Sequence, residues 1–84
     1  MCSYVTLKTE VAGSGKGARG WFSLSHACVY YDHPFHTPLE HTLNVDFIDE
    51  AAGADARVAV ELSADSARRL ADAILAALRA GDPA

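Results

Sequence analysis

The sequence predicts an α+β domain: a four-stranded antiparallel sheet followed by one C-terminal helix, in the order β-β-β-β-α. Three observations carry this expectation. Four runs alternate apolar and polar residues with the two-residue period of a half-buried strand. Segments rich in glycine or proline separate several of them. The C-terminal run changes to the 3–4 spacing of an amphipathic helix.

Residues 2–11 alternate, with Val5, Leu7 and Val11 on one side and Cys2, Tyr4, Thr6 and Lys8 on the other. Residues 12–20 hold four glycines and read as a flexible loop. Residues 21–31 resume as a strand, with Phe22, Leu24, His26, Cys28 and Tyr30 sharing one face and Trp21, Ala27, Val29 and Tyr31 the other. Pro34 and Pro38 lack the amide proton that a ladder or helix needs, so residues 32–41 form a second loop. Residues 42–48 are the third strand, with Leu43, Val45 and Phe47 on one side. A turn over 51–56, containing Gly53, leads to a fourth strand over 57–62 with Val58, Val60 and Leu62 facing one way.

The helix has clear end signals. Ser63 is the N-cap, and Asp65 puts an anion in the first turn, where the helix dipole favours it. Ala67, Leu70, Ala71, Ile74, Ala77 and Leu78 make the apolar stripe, opposite Arg68, Arg69, Asp72 and Arg79. Gly81 is expected just past the last turn, and Pro83 prevents continuation. A sheet faced by one helix is the natural α+β solution for these elements.

With 84 residues the chain is read as one domain, 1–84. Half the residues are apolar, so it is not a disordered tail, and two cysteines are too few for a disulfide scaffold. A formal charge of −4 without any basic run argues against nucleic acid and anionic membranes as partners. The first residues lack the apolar stretch of a signal peptide, and no run approaches the ~20 apolar residues of a membrane span. A cytoplasmic location follows, with Cys2 and Cys28 as thiols.

The chemistry concentrates in residues 32–41, Asp-His-Pro-Phe-His-Thr-Pro-Leu-Glu-His. Three of the four histidines, His33, His36 and His41, fall there with Asp32 and Glu40. Imidazoles and carboxylates are the groups that hold transition metals and move protons near neutral pH. His33, His36 and His41 suit a three-nitrogen metal site with one open position. Cys2, Glu40 or Asp32 would supply a fourth ligand. The expected cofactor is one transition metal ion; zinc and copper lead on affinity order, with iron(II) and nickel as alternatives. In a catalytic version the metal activates water and Glu40 or Asp32 moves protons. If strands one and two form one hairpin and strands two and three another, these residues gather at one end of the sheet. His41 then lies opposite Asp32, and His26 lies some 20 Å away.

Competing readings stand beside this one. The histidines could be a polar surface loop within a non-enzymatic binding module that docks a partner through its sheet face and glycine segment. A metal-free enzyme could use a His41–Asp32 dyad on a small-molecule ligand. The spacing matches no zinc signature: a proline forbids the helix that H-x-x-E-H requires. Gly-Ser-Gly-Lys-Gly at 13–17 resembles half a phosphate loop, but a strand follows where a helix is needed. Phe35 is a candidate pocket wall, and Cys28 reads as a small buried hydrophobe.

Both faces of strands one and two carry apolar side chains, and one helix covers only one face. Val5, Leu7, Trp21, Val29 and Tyr31 therefore point to a homodimer.

Taken together, Met-Cys-Ser-Tyr-Val-Thr at the start, Val-Ala-Gly-Ser-Gly-Lys-Gly leading to Gly-Trp-Phe, Tyr-Tyr-Asp-His-Pro-Phe-His followed by Glu-His-Thr-Leu-Asn-Val-Asp-Phe, and Arg-Val-Ala-Val-Glu-Leu-Ser resemble a family of small uncharacterised actinobacterial proteins. The resemblance covers nearly the whole chain. It implies that Cys2, the glycine segment and the histidine segment belong to a family pattern, and it supplies no reaction or ligand.

Overall fold

A computed structural model of the chain describes residues 5–81. Cys2 and Pro83 lie outside the described residues. Strands β1 (Thr6–Gly17), β2 (Gly20–Asp32), β3 (Thr42–Ile48) and β4 (Arg57–Leu62) form an antiparallel meander in the order β1-β2-β3-β4. Helix α1 (Ala64–Gly81) follows. Among the described residues no helix is long and apolar enough to cross a membrane. The β-β-β-β-α order is the expected one, and β3 and β4 coincide with their sequence patterns.

The glycine segment is a correction. Residues 12–20 are not a loop: they complete β1, turn at Ala18 and Arg19, and begin β2, with Gly17 paired to Gly20. Gly20 takes a φ of +108°, which other residues enter only with strain. At Gly15 a Cβ would lie 3.1 Å from Leu24 Cδ2 and 3.6 Å from Val58 Cγ2. The absent side chain lets the hairpin tip lie against β4. Ladder pairing and this close approach override the low intrinsic strand propensity of glycine.

Glu10 pairs with His26 while Gly13 pairs with Leu24, so Val11 and Ala12 share Ser25 as their opposite residue. This β-bulge adds twist and re-aims the distal half of the hairpin.

The register sorts the side chains onto two faces. Lys8, His26, Cys28, Tyr30, Asn44, Asp46, Arg57 and Glu61 share a polar face. Leu7, Val29, Tyr31, Leu43, Val45, Val60 and Leu62 share an apolar one. Thr42 is fully buried and Asn44 nearly so; the Thr42 hydroxyl donates to Asn44 Oδ1 at 2.8 Å. Among the described residues, Ala27 and Ala56 are the hydrophobic residues that reach core burial. Cys28, expected inside, is only half-buried.

Ser63 caps α1 as expected: its Oγ accepts the Ser66 amide at 3.1 Å and its carbonyl accepts the Ala67 amide at 2.9 Å. Asp65 occupies the first turn and Arg79 the last, and Gly81 is itself helical rather than the residue beyond the last turn. The expectation that the helix covers a sheet face is corrected. With Ser63 as its only link to β4, α1 touches β3 and β4 near its start and then extends past the sheet. No helical residue is buried, and Leu70, Ile74 and Leu78 stay about half exposed.

Candidate functional site

The chain leaves β2 at Asp32 and re-enters the sheet at Thr42, and these two residues pair. His41 therefore sits one position outside the ladder rather than opposite Asp32. Between them the loop folds over the polar face and is held from β4. The Glu61 carboxylate accepts three successive amides: Phe35 at 2.6 Å, His36 at 3.2 Å and Thr37 at 2.9 Å. The Thr37 and Phe35 amides are the leading cause of a Glu61 pKa lowered to about 2, because donors aimed at a carboxylate favour its charged form.

This anchoring divides the predicted ligand set. His36 goes to the polar face, where it lines a cavity of about 440 Å³ with Tyr30, Phe35, Asn44, Asp46, Arg57 and Glu61. His33 and His41 remain together at the end of the sheet, their rings stacked with centroids 4.8 Å apart. His41 also stacks on Tyr31, at 5.8 Å, whose register position belongs to the apolar face. Asp32 Oδ1 accepts the His33 amide at 2.7 Å. Glu40 contributes its backbone carbonyl, 3.0 Å from His33 Nδ1. A carbonyl can only accept, so Nδ1 carries the proton and the neutral ring holds its lone pair on Nε2. Among the described residues, no three His, Cys, Asp or Glu side chains are grouped to hold a metal ion.

The cavity is built mostly from residues that the sequence pattern did not single out. Tyr30 donates its hydroxyl to Asp46 Oδ2 at 3.3 Å, and Arg57 Nη2 donates to Oδ1 at 3.0 Å. Burial, then the Asp46 charge, push the Tyr30 phenol upward from its ordinary value, so it stays a donor. Phe35 stands at the rim, 93% exposed. The available signal was alternation: Asn44 and Asp46 in β3, with Arg57 and Glu61 in β4, occupy the non-apolar positions. Only the register places them side by side, through the pairs Asn44–Glu61 and Asp46–Ala59.

A second polar cluster lies at the far end of the sheet. Ser25 Oγ is 2.8 Å from His26 Nδ1, and the same nitrogen is 3.7 Å from Glu50 Oε1. A catalytic relay uses the two ring nitrogens separately, one for the hydroxyl and one for the carboxylate, so this geometry is not a triad. Ser25 Oγ instead accepts the Glu50 amide at 2.9 Å and fastens the β3–β4 turn. Lys8 pairs with Glu50, raising the lysine pKa and lowering that of the glutamate.

In comparison with known proteins, the model of a family of unknown function (DUF6295) matches residues 1–84. No curated protein and no solved structure matches the chain.

Proposed function

Because the chain belongs to that family of unknown function, its activity has to be read from its own geometry, and we propose that it is a small-molecule-binding protein whose ligand occupies the cavity beneath the histidine loop. The observation that carries this reading is the cavity itself. Its volume of about 440 Å³ lies within the usual range for small-molecule sites, and its polar groups converge from three strands and the loop. Asp46 and Glu61 outnumber the single guanidinium of Arg57. The excess of acceptor charge favours a neutral or cationic ligand bearing amine or hydroxyl donors. Phe35 at the rim offers an aromatic face to the ligand's apolar part.

The test is a thermal-shift series with small amines and polyols set against carboxylates and phosphates of similar size. Amines or polyols should stabilise the protein, and Asp46→Asn should weaken that binding by roughly 10–100-fold, the worth of one charge-assisted hydrogen bond. Stabilisation by carboxylates or phosphates alone, or by none of the four classes, would sink the reading.

A second reading, a transition-metal site with zinc or copper leading and iron(II) or nickel behind, is favoured by one specific contact. Metal-binding histidines characteristically donate their other ring N–H to a carbonyl or carboxylate, and His33 donates Nδ1–H to the Glu40 carbonyl. His41 stands beside it, with Asp32 and Glu40 flanking as ligands or proton-moving groups. His36 is not gathered with this pair, and Cys2 lies outside the described residues. Elemental analysis of untagged protein purified without chelators decides this reading. About one equivalent of a single metal, lost in a His33→Ala/His41→Ala variant, supports it. Metal below about a tenth of an equivalent after incubation with zinc, copper and iron(II) refutes it.

A further inference from the structure

We infer that a second copy of this chain covers the apolar face of the sheet and the stripe of α1, and that the folded unit in solution is a homodimer built through the helix. The argument begins with surface. The chain exposes 6270 Å², against about 4,800 Å² for a compact monomer of the same mass. The difference, roughly 1,400–1,500 Å² per copy, makes about 2,900 Å² for a pair, the size of an obligate homodimer interface.

Large apolar side chains contribute to this exposed surface. Leu7 is 63% exposed and Tyr31 39%, while Ile74 and Leu78 on α1 stand at 51% and 56%. At its first turns the helix and the sheet form the two walls of a groove of about 610 Å³, lined by Val29, Tyr31, Leu43, Ala67 and Ala71. Ile74 and Leu78 continue the Ala67–Ala71 stripe along the helix at 3–4 spacing, so the same face that opens the groove runs on beyond the sheet.

A second copy is the occupant that answers both halves at once. It brings a matching stripe for the exposed sheet face and a matching sheet face for the exposed stripe, as a twofold interface requires. Without it, the described residues bury no large hydrophobic side chain completely. A chain of this length has little core from which to stabilise itself alone.

Light scattering on the full-length protein at micromolar concentration, followed by its thermal midpoint over a hundredfold dilution, tests this. The expected results are twice the chain mass and a midpoint that falls by about 4 °C for each tenfold dilution. Ile74→Glu should halve the mass or abolish folding, whereas Arg69→Glu on the opposite side of the helix should leave the dimer intact. A wild-type monomer with a concentration-independent midpoint overturns the inference. So does an Ile74→Glu variant that remains a dimer. A monomer stabilised instead by lipid vesicles or apolar small molecules would reassign the surface to that occupant.

Discussion

The Phe35 amide donates a 2.6 Å hydrogen bond to Glu61 Oε2, 26 positions further along the chain. With the His36 and Thr37 amides on the same carboxylate, a connection between β2 and β3 takes its shape from β4. This carboxylate decides where the histidines go: it carries His36 over the polar face and leaves His33 and His41 stacked at the sheet end.

Acid should release that loop. Glu61 has an ordinary value of 4.5 and a folded value of about 2. Its ionised form is therefore the one that folding favours. The contribution is fully present above pH 4.5 and is lost as pH falls through about 2. Hydrogen-exchange protection of the Phe35, His36 and Thr37 amides should decline across that window while β2–β3 pairing persists. Protection that stays flat to about pH 2 would contradict the assignment.

Glu61→Gln keeps one acceptor oxygen but turns an N–H₂ group toward the amides. The same three amides should then exchange faster, on the order of tenfold, at neutral pH. The cavity should lose its shape with them, so ligands that stabilise the wild type should have a smaller effect. Unchanged exchange in this variant would mean that the loop is held by something other than the carboxylate.

Gly20→Val places a β-branched residue at a φ of +108°. Urea denaturation should show a loss of roughly 1–3 kcal/mol, the usual cost of a side chain forced into that region. A loss below about 0.5 kcal/mol would show that the turn relaxes to another type.

Ser63→Ala removes the hydroxyl that accepts the Ser66 amide at 3.1 Å. A loss of about 1 kcal/mol is expected, together with reduced helicity by circular dichroism. In a protein whose dimer depends on α1, the same change should raise the concentration at which the dimer dissociates.

Much of the fold was legible as local pattern. The alternation at 42–48 and 57–62 coincides with β3 and β4 because a half-buried strand must repeat every two residues. Ser63 and Asp65 announce the helix start for equally local reasons. The glycine stretch misled because glycine reads as a loop wherever its neighbours in space are unknown. Its role at Gly15 depends on Leu24 and Val58, which approach only when the hairpin lies against β4.

The candidate site was legible in composition and not in arrangement. His33, His36, His41, Asp32 and Glu40 stand close in sequence, and loop proximity suggested one cluster. A loop has no period to say which way its side chains turn, so the divergence of His36 from the other two was hidden. Glu61, Asp46, Arg57 and Tyr30 sat in strand positions that looked merely solvent-facing. Their convergence exists only in the pairing of β2 with β3 and β3 with β4.

By itself the sequence determined the element types, the strand boundaries at β3 and β4, the helix cap and the presence of a histidine-dense connection. All of these follow from period, capping and turn chemistry, which act over a few residues. Tertiary structure alone decided that the glycines form a strand, that Glu61 shapes the loop, and that the α1 stripe extends past the sheet instead of covering it. Those outcomes turn on register and on the direction of a helix tied to β4 through Ser63, and neither is written in any local window of the chain.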